Sequence, residues 1–84
     1  MSTEYASLVD RITTEIPEVV QVGANRFERG IFAVEIEDCG THEGWHEYEV
    51  ARFMRDRDGA WERKPGSLYD NAHGTFNTVD EWLT

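Results

Sequence analysis

The stretch CGTHEGWHEY, from Cys39 to Tyr48, holds most of the residues in this chain that could do chemistry. His42-Glu43-Gly44-Trp45-His46 has the H-E-x-x-H spacing, in which a helix brings two imidazoles to one zinc ion and the glutamate activates the bound water. Cys39, His42 and His46 also have a C-x2-H-x3-H spacing. A folded loop could draw these three around a structural zinc, with His73 as a fourth ligand. Elsewhere, Asp70 and His73 could form an acid–base pair with Ser67 as the nearest nucleophile, and Cys39 with His42 would make a thiol–imidazole dyad.

Local context argues against each of these sites. Gly40 and Gly44 discourage helix, and the segment lies between two stretches that alternate like strands. On an extended strand, His42 and His46 stand roughly 13 Å apart, too far to share a metal. No glycine-flanked elbow surrounds Ser67, and no neighbour of Cys39 in sequence lowers a thiol pKa. Walker and dinucleotide fingerprints are missing, and a domain this small encloses no pocket of enzyme size without oligomerising. No catalytic residue, no cofactor and no metal is therefore expected. Cys39, His42, His46 and His73 remain as the residual metal candidates, and a zinc-binding protein through Cys39, His42 and His46 is a third alternative function.

The elements that must position these residues follow from periodicity. Tyr5, Leu8, Val9, Ile12 and Ile16 mark one face of a helix from Ser2 to Ile16, capped by Ser2 or Thr3 and stopped by Pro17. Glu18 to Val22 reads as a short strand, Gly23 to Asn25 as a turn, and Phe27 to Glu37 as a strand with Phe32, Val34 and Ile36 inward. Asp38 to Gly44 then forms a loop, and Trp45 to Arg57 a further strand with Tyr48 and Val50 inward and a bulge after Val50. Asp58-Gly59 predicts a two-residue type I′ hairpin into a strand from Ala60 to Lys64, with Arg55 opposite Glu62. Pro65 to Gly74 is an irregular connector. Thr78 and Glu81 make a capping box for a helix of one or two turns.

These elements give an α+β fold in one domain spanning residues 1–84. The N-terminal helix packs on a three- to four-stranded antiparallel sheet, followed by a short C-terminal helix, with the other sheet face open to solvent or a partner. The order resembles that of double-stranded-RNA-binding domains, but the Lys and Arg phosphate contacts of such domains are missing.

Charge separates the remaining functions. Seventeen acidic residues against eight basic ones leave a net charge of −9, which disfavours direct binding to nucleic acid or to anionic membranes and favours basic protein partners. A single cysteine, no signal peptide and no long apolar run predict a cytoplasmic protein. Glu35, Glu37, Asp38, Glu43, Glu47 and Glu49 fall in one segment without Lys or Arg. Aligning the apolar faces through Val34 and Tyr48 sets Glu35 opposite Glu47, with Glu37 and Glu49 near by on the same face. Like charges across a sheet destabilise it, and a basic partner would relieve them. Glu35, Glu37, Glu43, Glu47, Glu49 and Trp45 are the predicted partner-binding residues.

This profile, one acidic domain without a catalytic motif and with helices flanking an antiparallel sheet, resembles that of small phage-encoded anti-defence proteins. Anti-CRISPR proteins and anti-restriction nucleic-acid mimics are of this kind. The resemblance implies an inhibitor, monomeric or homodimeric, acting in the host cytoplasm. It would present its acidic hairpin to the basic surface of a nucleic-acid-binding protein or complex. The alternative is a small structural or regulatory domain of a salt-adapted or GC-rich organism, paired as a homodimer through its open sheet face.

Overall fold

A computed structural model describes residues 3–84. Its order is α1 (Thr3–Glu15), β1 (Val20–Gln21), β2 (Arg26–Arg29), β3 (Phe32–His42), β4 (Trp45–Arg55), β5 (Trp61–Arg63), β6 (Leu68–Asp70) and α2 (Ala72–Leu83). The class is α+β, with a six-stranded antiparallel sheet where three or four strands were expected. Strands β1 to β5 lie side by side in chain order, and β6 pairs with β4 alongside β5. No helix among the described residues is long and apolar enough to cross a membrane.

Both helices pack on one face of the sheet. Tyr5, Leu8, Ile12 and Ile16 from the first helical segment meet Phe76, Val79 and Leu83 of α2 over Phe27, Val34, Ile36, Tyr48 and Val50. Those sheet residues alternate along their strands, so their partners in sequence face away. Burying a large apolar side chain of this kind contributes about 1.5–3 kcal/mol relative to leaving it in water. Polar contacts fix the layer. Tyr48 donates to Glu4 at 3.0 Å, Tyr5 donates to the Ala24 carbonyl at 2.8 Å, and Trp82 Nε1 is shared between the carbonyls of Ala33 and Phe53, both at 3.1 Å.

Several boundaries differ from expectation, each for a local reason. The single strand predicted over Phe27 to Glu37 is two strands. Arg29 faces Phe32 across a two-residue turn, and Gly30 at φ 63° takes the first central position, as a type II′ turn requires. The predicted loop from Asp38 to Gly44 is mostly strand: β3 continues to His42, and Glu43 and Gly44, at φ 50° and 89°, close a type I′ turn between His42 and Trp45. The turn at Asp58-Gly59 is longer than predicted. Gly59 donates to the Asp56 carbonyl and Asp56 pairs with Ala60, so the loop has three residues with Gly59 left-handed. Arg55 consequently pairs with Trp61, and Glu62 falls opposite Met54.

The connector after Pro65 contains β6, which pairs Leu68, Tyr69 and Asp70 with Val50, Glu49 and Tyr48. The Thr78 capping box does not form. Asn71 caps α2 instead, accepting from the Gly74 N–H at 2.9 Å, and Thr78 lies inside the helix. Thr3 begins α1, while the Ser2 cap lies outside the described residues. A bulge falls at Cys39 rather than after Val50: Asp38 pairs with Tyr48, and Gly40 with Glu47. Strand β2 accompanies β3 only to Ile36, whose N–H donates to the Asn25 carbonyl at 2.9 Å. Beyond that point the β3–β4 hairpin projects alone on that edge.

Candidate functional site

The face of the sheet turned away from the helices carries the charge. On β4 it presents Glu47, Glu49, Ala51, Phe53 and Arg55. On β3 it presents Ala33, Glu35 and Glu37, with Arg26 and Glu28 beside them on β2. Trp61 and Arg63 of β5 and Tyr69 of β6 continue it past β4.

The register changes which carboxylates meet. Val34 pairs with Arg52, not Tyr48, so Glu35 lies between Ala51 and Arg26 and never faces Glu47. The register was misjudged because β3 and β4 continue past the expected loop to a turn at Glu43-Gly44. The direct like-charged pair is Glu37 with Glu49. Arg26 neutralises the other end. Its guanidinium binds Glu28 at 2.9 Å and Glu35 at 2.8 Å and lies over the rings of Phe53 (4.7 Å) and Trp61 (5.0 Å). These contacts raise its pKa against the cost of desolvation.

The face therefore has two ends. Towards the hairpin tip lie Glu37, Glu47 and Glu49. Among the described residues, no Lys or Arg comes within ion-pair distance of these three, and Glu47 has only His42 at 3.7 Å. Hydrogen bonds from Ser67 and Tyr69 hold the Glu49 carboxyl below its ordinary range, and Tyr69 is raised in turn. Away from the tip lie Arg26, Arg55 and Arg63 among Phe53 and Trp61, with Arg55 over the Trp61 ring at 5.5 Å. A shallow depression of about 270 Å³ between the two ends is lined by Glu37, Glu49, Ala51 and Arg63.

Comparison with protein-family models, curated proteins and solved structures finds no significant match.

Of the predicted partner-binding residues, Glu37, Glu47 and Glu49 come together. Glu35 is tied to Arg26, and Glu43 sits in the turn. Trp45 stands 40% exposed at the tip. The metal candidates are separated. Trp45 pairs with His42, so the adjacent His46 faces the opposite side of the hairpin. There His46 hydrogen-bonds Asp38 and packs on the Tyr48 ring at 5.0 Å. His73 occupies the first turn of α2, at a groove it shares with His46 but not with Cys39 or His42. The described residues contain no group of three or more His, Cys, Asp or Glu placed to hold a metal.

The thiol of Cys39 is pushed up by burial and then by Glu47, Glu49, Glu37 and Asp38, the reverse of an activated nucleophile. Among the described residues no hydrogen bond joins Asp70 to His73. Asp70 accepts from the Asn71 N–H, and Ser67 accepts from Arg63. Sequence reasoning missed Arg26 and Arg63 as members of the face and placed Tyr69 in a connector rather than on a strand of it. Arg26 was readable only once β2 and β3 were separate strands. Tyr69 needed β6.

Proposed function

We propose that this chain is a non-catalytic binding module that offers the acidic end of its uncovered sheet face to a basic protein surface. The observation that carries the reading is the direct cross-strand pairing of Glu37 with Glu49, beside Glu47, on a face that neither helix covers. Like charges held opposite each other cost stability, and a partner's Lys and Arg side chains would recover it. Neighbouring carboxylates on one strand stand about 6–7 Å apart, close to the phosphate spacing along a nucleic-acid strand. A basic nucleic-acid-binding surface is the partner of matching chemistry, and the net charge of −9 would steer the encounter. The role is that of an inhibitor of the anti-CRISPR or anti-restriction kind, competing with nucleic acid for its site.

The test is capture of proteins from the native host on the immobilised chain and on a Glu37→Gln, Glu47→Gln, Glu49→Gln variant. Glu35 is left in place because its removal would release Arg26. The proposal expects a basic, nucleic-acid-binding protein that is retained at low salt, displaced by added nucleic acid and lost by the variant. Equal retention by the variant would refute it.

A further inference from the structure

The outward residues of β4 run Glu47, Glu49, Ala51, Phe53, Arg55. Their order is acid, acid, small, aromatic, base, and it balances about Ala51. On one flank, strands β5 and β6 repeat the polarity. Tyr69, bound to Glu49, lies on the acidic side of Ala51, and Arg63, opposite Phe53, on the basic side. A uniformly acidic face would repel a second copy of itself, whereas the strip formed by β4, β5 and β6 sets its acidic end against its basic end on half-turn rotation.

We propose that two copies of this chain pair through their uncovered sheet faces about a two-fold axis that passes at Ala51, in the plane of the interface and across the strands. The rotation reverses strand direction. It sets Glu47 of one copy towards Arg55 of the other, Glu49 towards Phe53, and Tyr69 towards Arg63, and each contact is made twice, as in any isologous interface. Ala51 lets the sheets approach to the roughly 10 Å of a face-to-face packing at β4, and Glu35 and Arg26, which share its row, meet their own copies as a charge-balanced ion pair. Arg55 and Arg63 are available for this role, since neither is in an ion pair among the described residues, and Arg63 donates only to Ser67. Tyr69 at 57% exposure and the half-buried Phe53 and Trp61 supply apolar area along the contact. With extents of 43 × 27 × 20 Å, the broad face can supply the roughly 800 Å² per partner of a standard interface.

This pairing needs no other protein and stands apart from the partner reading. If both hold, the dimer covers Glu47 and Glu49 until a basic partner displaces the second copy.

The experiment is the molar mass of the purified chain by light scattering at about 100 μM, in about 0.05 M and about 0.5 M salt, because screening weakens exposed charge pairs. A dimer at low salt that dissociates at high salt is expected. Two charge-reversed chains then test the geometry: Glu47→Arg with Glu49→Arg, and Arg55→Glu with Arg63→Glu. Each alone makes both ends of the face the same sign and should be monomeric, while an equimolar mixture should restore the dimer mass. Should either reversed chain fail to fold, Ala51→Arg carries the test by placing two like charges at the axis, and it should be monomeric. A monomeric wild type at low salt overturns the proposal. So does a mixture of folded reversed chains that stays monomeric, or a dimer unaffected by Ala51→Arg.

Discussion

Replacing Glu43 with Asn should stabilise the protein. Glu43 holds φ 50° at the first central position of the β3–β4 turn, ahead of Gly44 at φ 89°. A left-handed conformation costs an ordinary side chain about 1–2 kcal/mol, and Asn tolerates it best after Gly. The turn would then read Asn-Gly, the favoured type I′ pair, and recovering half or more of that cost gives about 1 kcal/mol. For a domain of this length that corresponds to a rise in melting temperature of about 4–8 °C. Glu43→Asn also removes one negative charge from an acidic tip, so Glu43→Gln is the control. Gln removes the same charge but keeps an unbranched side chain with no liking for positive φ. Thermal melts by circular dichroism at moderate salt should place Asn above Gln, and Gln near the wild type. A helical tip, as the H-E-x-x-H spacing suggests, reverses the order, because Gln is the better helix former. Equal melting of the two variants, or Gln above Asn, would refute the turn assignment.

Three further outcomes are expected. Trp82→Phe keeps a ring against Phe32 but leaves the carbonyls of Ala33 and Phe53 without their shared donor; it should cost about 1–2 kcal/mol, seen as a lower urea midpoint at unchanged slope. Asp38 is held below its ordinary pKa of 3.8 by the Gly40 N–H, against some desolvation, and then by His46. A depressed carboxylate stabilises fully above its unfolded pKa, and that share is lost as pH falls through the folded value. The melting-temperature gap between wild type and Asp38→Asn should therefore hold steady above about pH 4 and close below it; a constant gap down to acid unfolding would contradict the assignment. Finally, the Cys39 thiol reports the field of the acidic end. Iodoacetamide should modify it more slowly than free glutathione at neutral pH, and Glu37→Gln, Glu47→Gln, Glu49→Gln should speed the reaction by lowering the thiol pKa. An unchanged rate would mean that the carboxylates do not act on the thiol.

The parts of the fold legible in the sequence were those whose pattern repeats over enough residues. Tyr5, Leu8, Ile12 and Ile16 declared α1, and the alternation of Val34, Ile36, Tyr48 and Val50 declared the central hairpin and its buried side. What stayed hidden depended on two or three residues. Arg29-Gly30-Ile31-Phe32 looks like unbroken strand because a type II′ turn needs only its first residue to be glycine, and Ile31 is an improbable turn residue. Leu68-Tyr69-Asp70 is too short to show a period. Asn71 was overlooked as a cap because His73, Gly74 and Asn77 are weak helix formers, although α2 is stabilised by packing Phe76, Val79 and Leu83. The acidic segment was visible as composition, but its pairing was not. Register depends on turn length and bulge position, and the extra residue at Cys39 alters how the carboxylates line up.

The helix layer also bears on how the chain reaches its native state. Strands β2, β3 and β4 are neighbours in sequence and need only tight turns to zip together, so they can form early. The layer that covers them joins the two ends of the chain: Tyr48 reaches Glu4, Ala33 receives Trp82, and Arg29 bonds the Leu83 carbonyl at 2.8 Å. During synthesis the sheet must wait, its apolar side covered by α1 alone, until residues 72–83 have emerged. In that interval the projecting edge of β3 is open to strand addition by other chains. The carboxylates of Glu37 and Asp38 line that edge, and the bulge at Cys39 bends it. The same negative charge that suits a basic partner would thus keep nascent copies of the chain from aggregating.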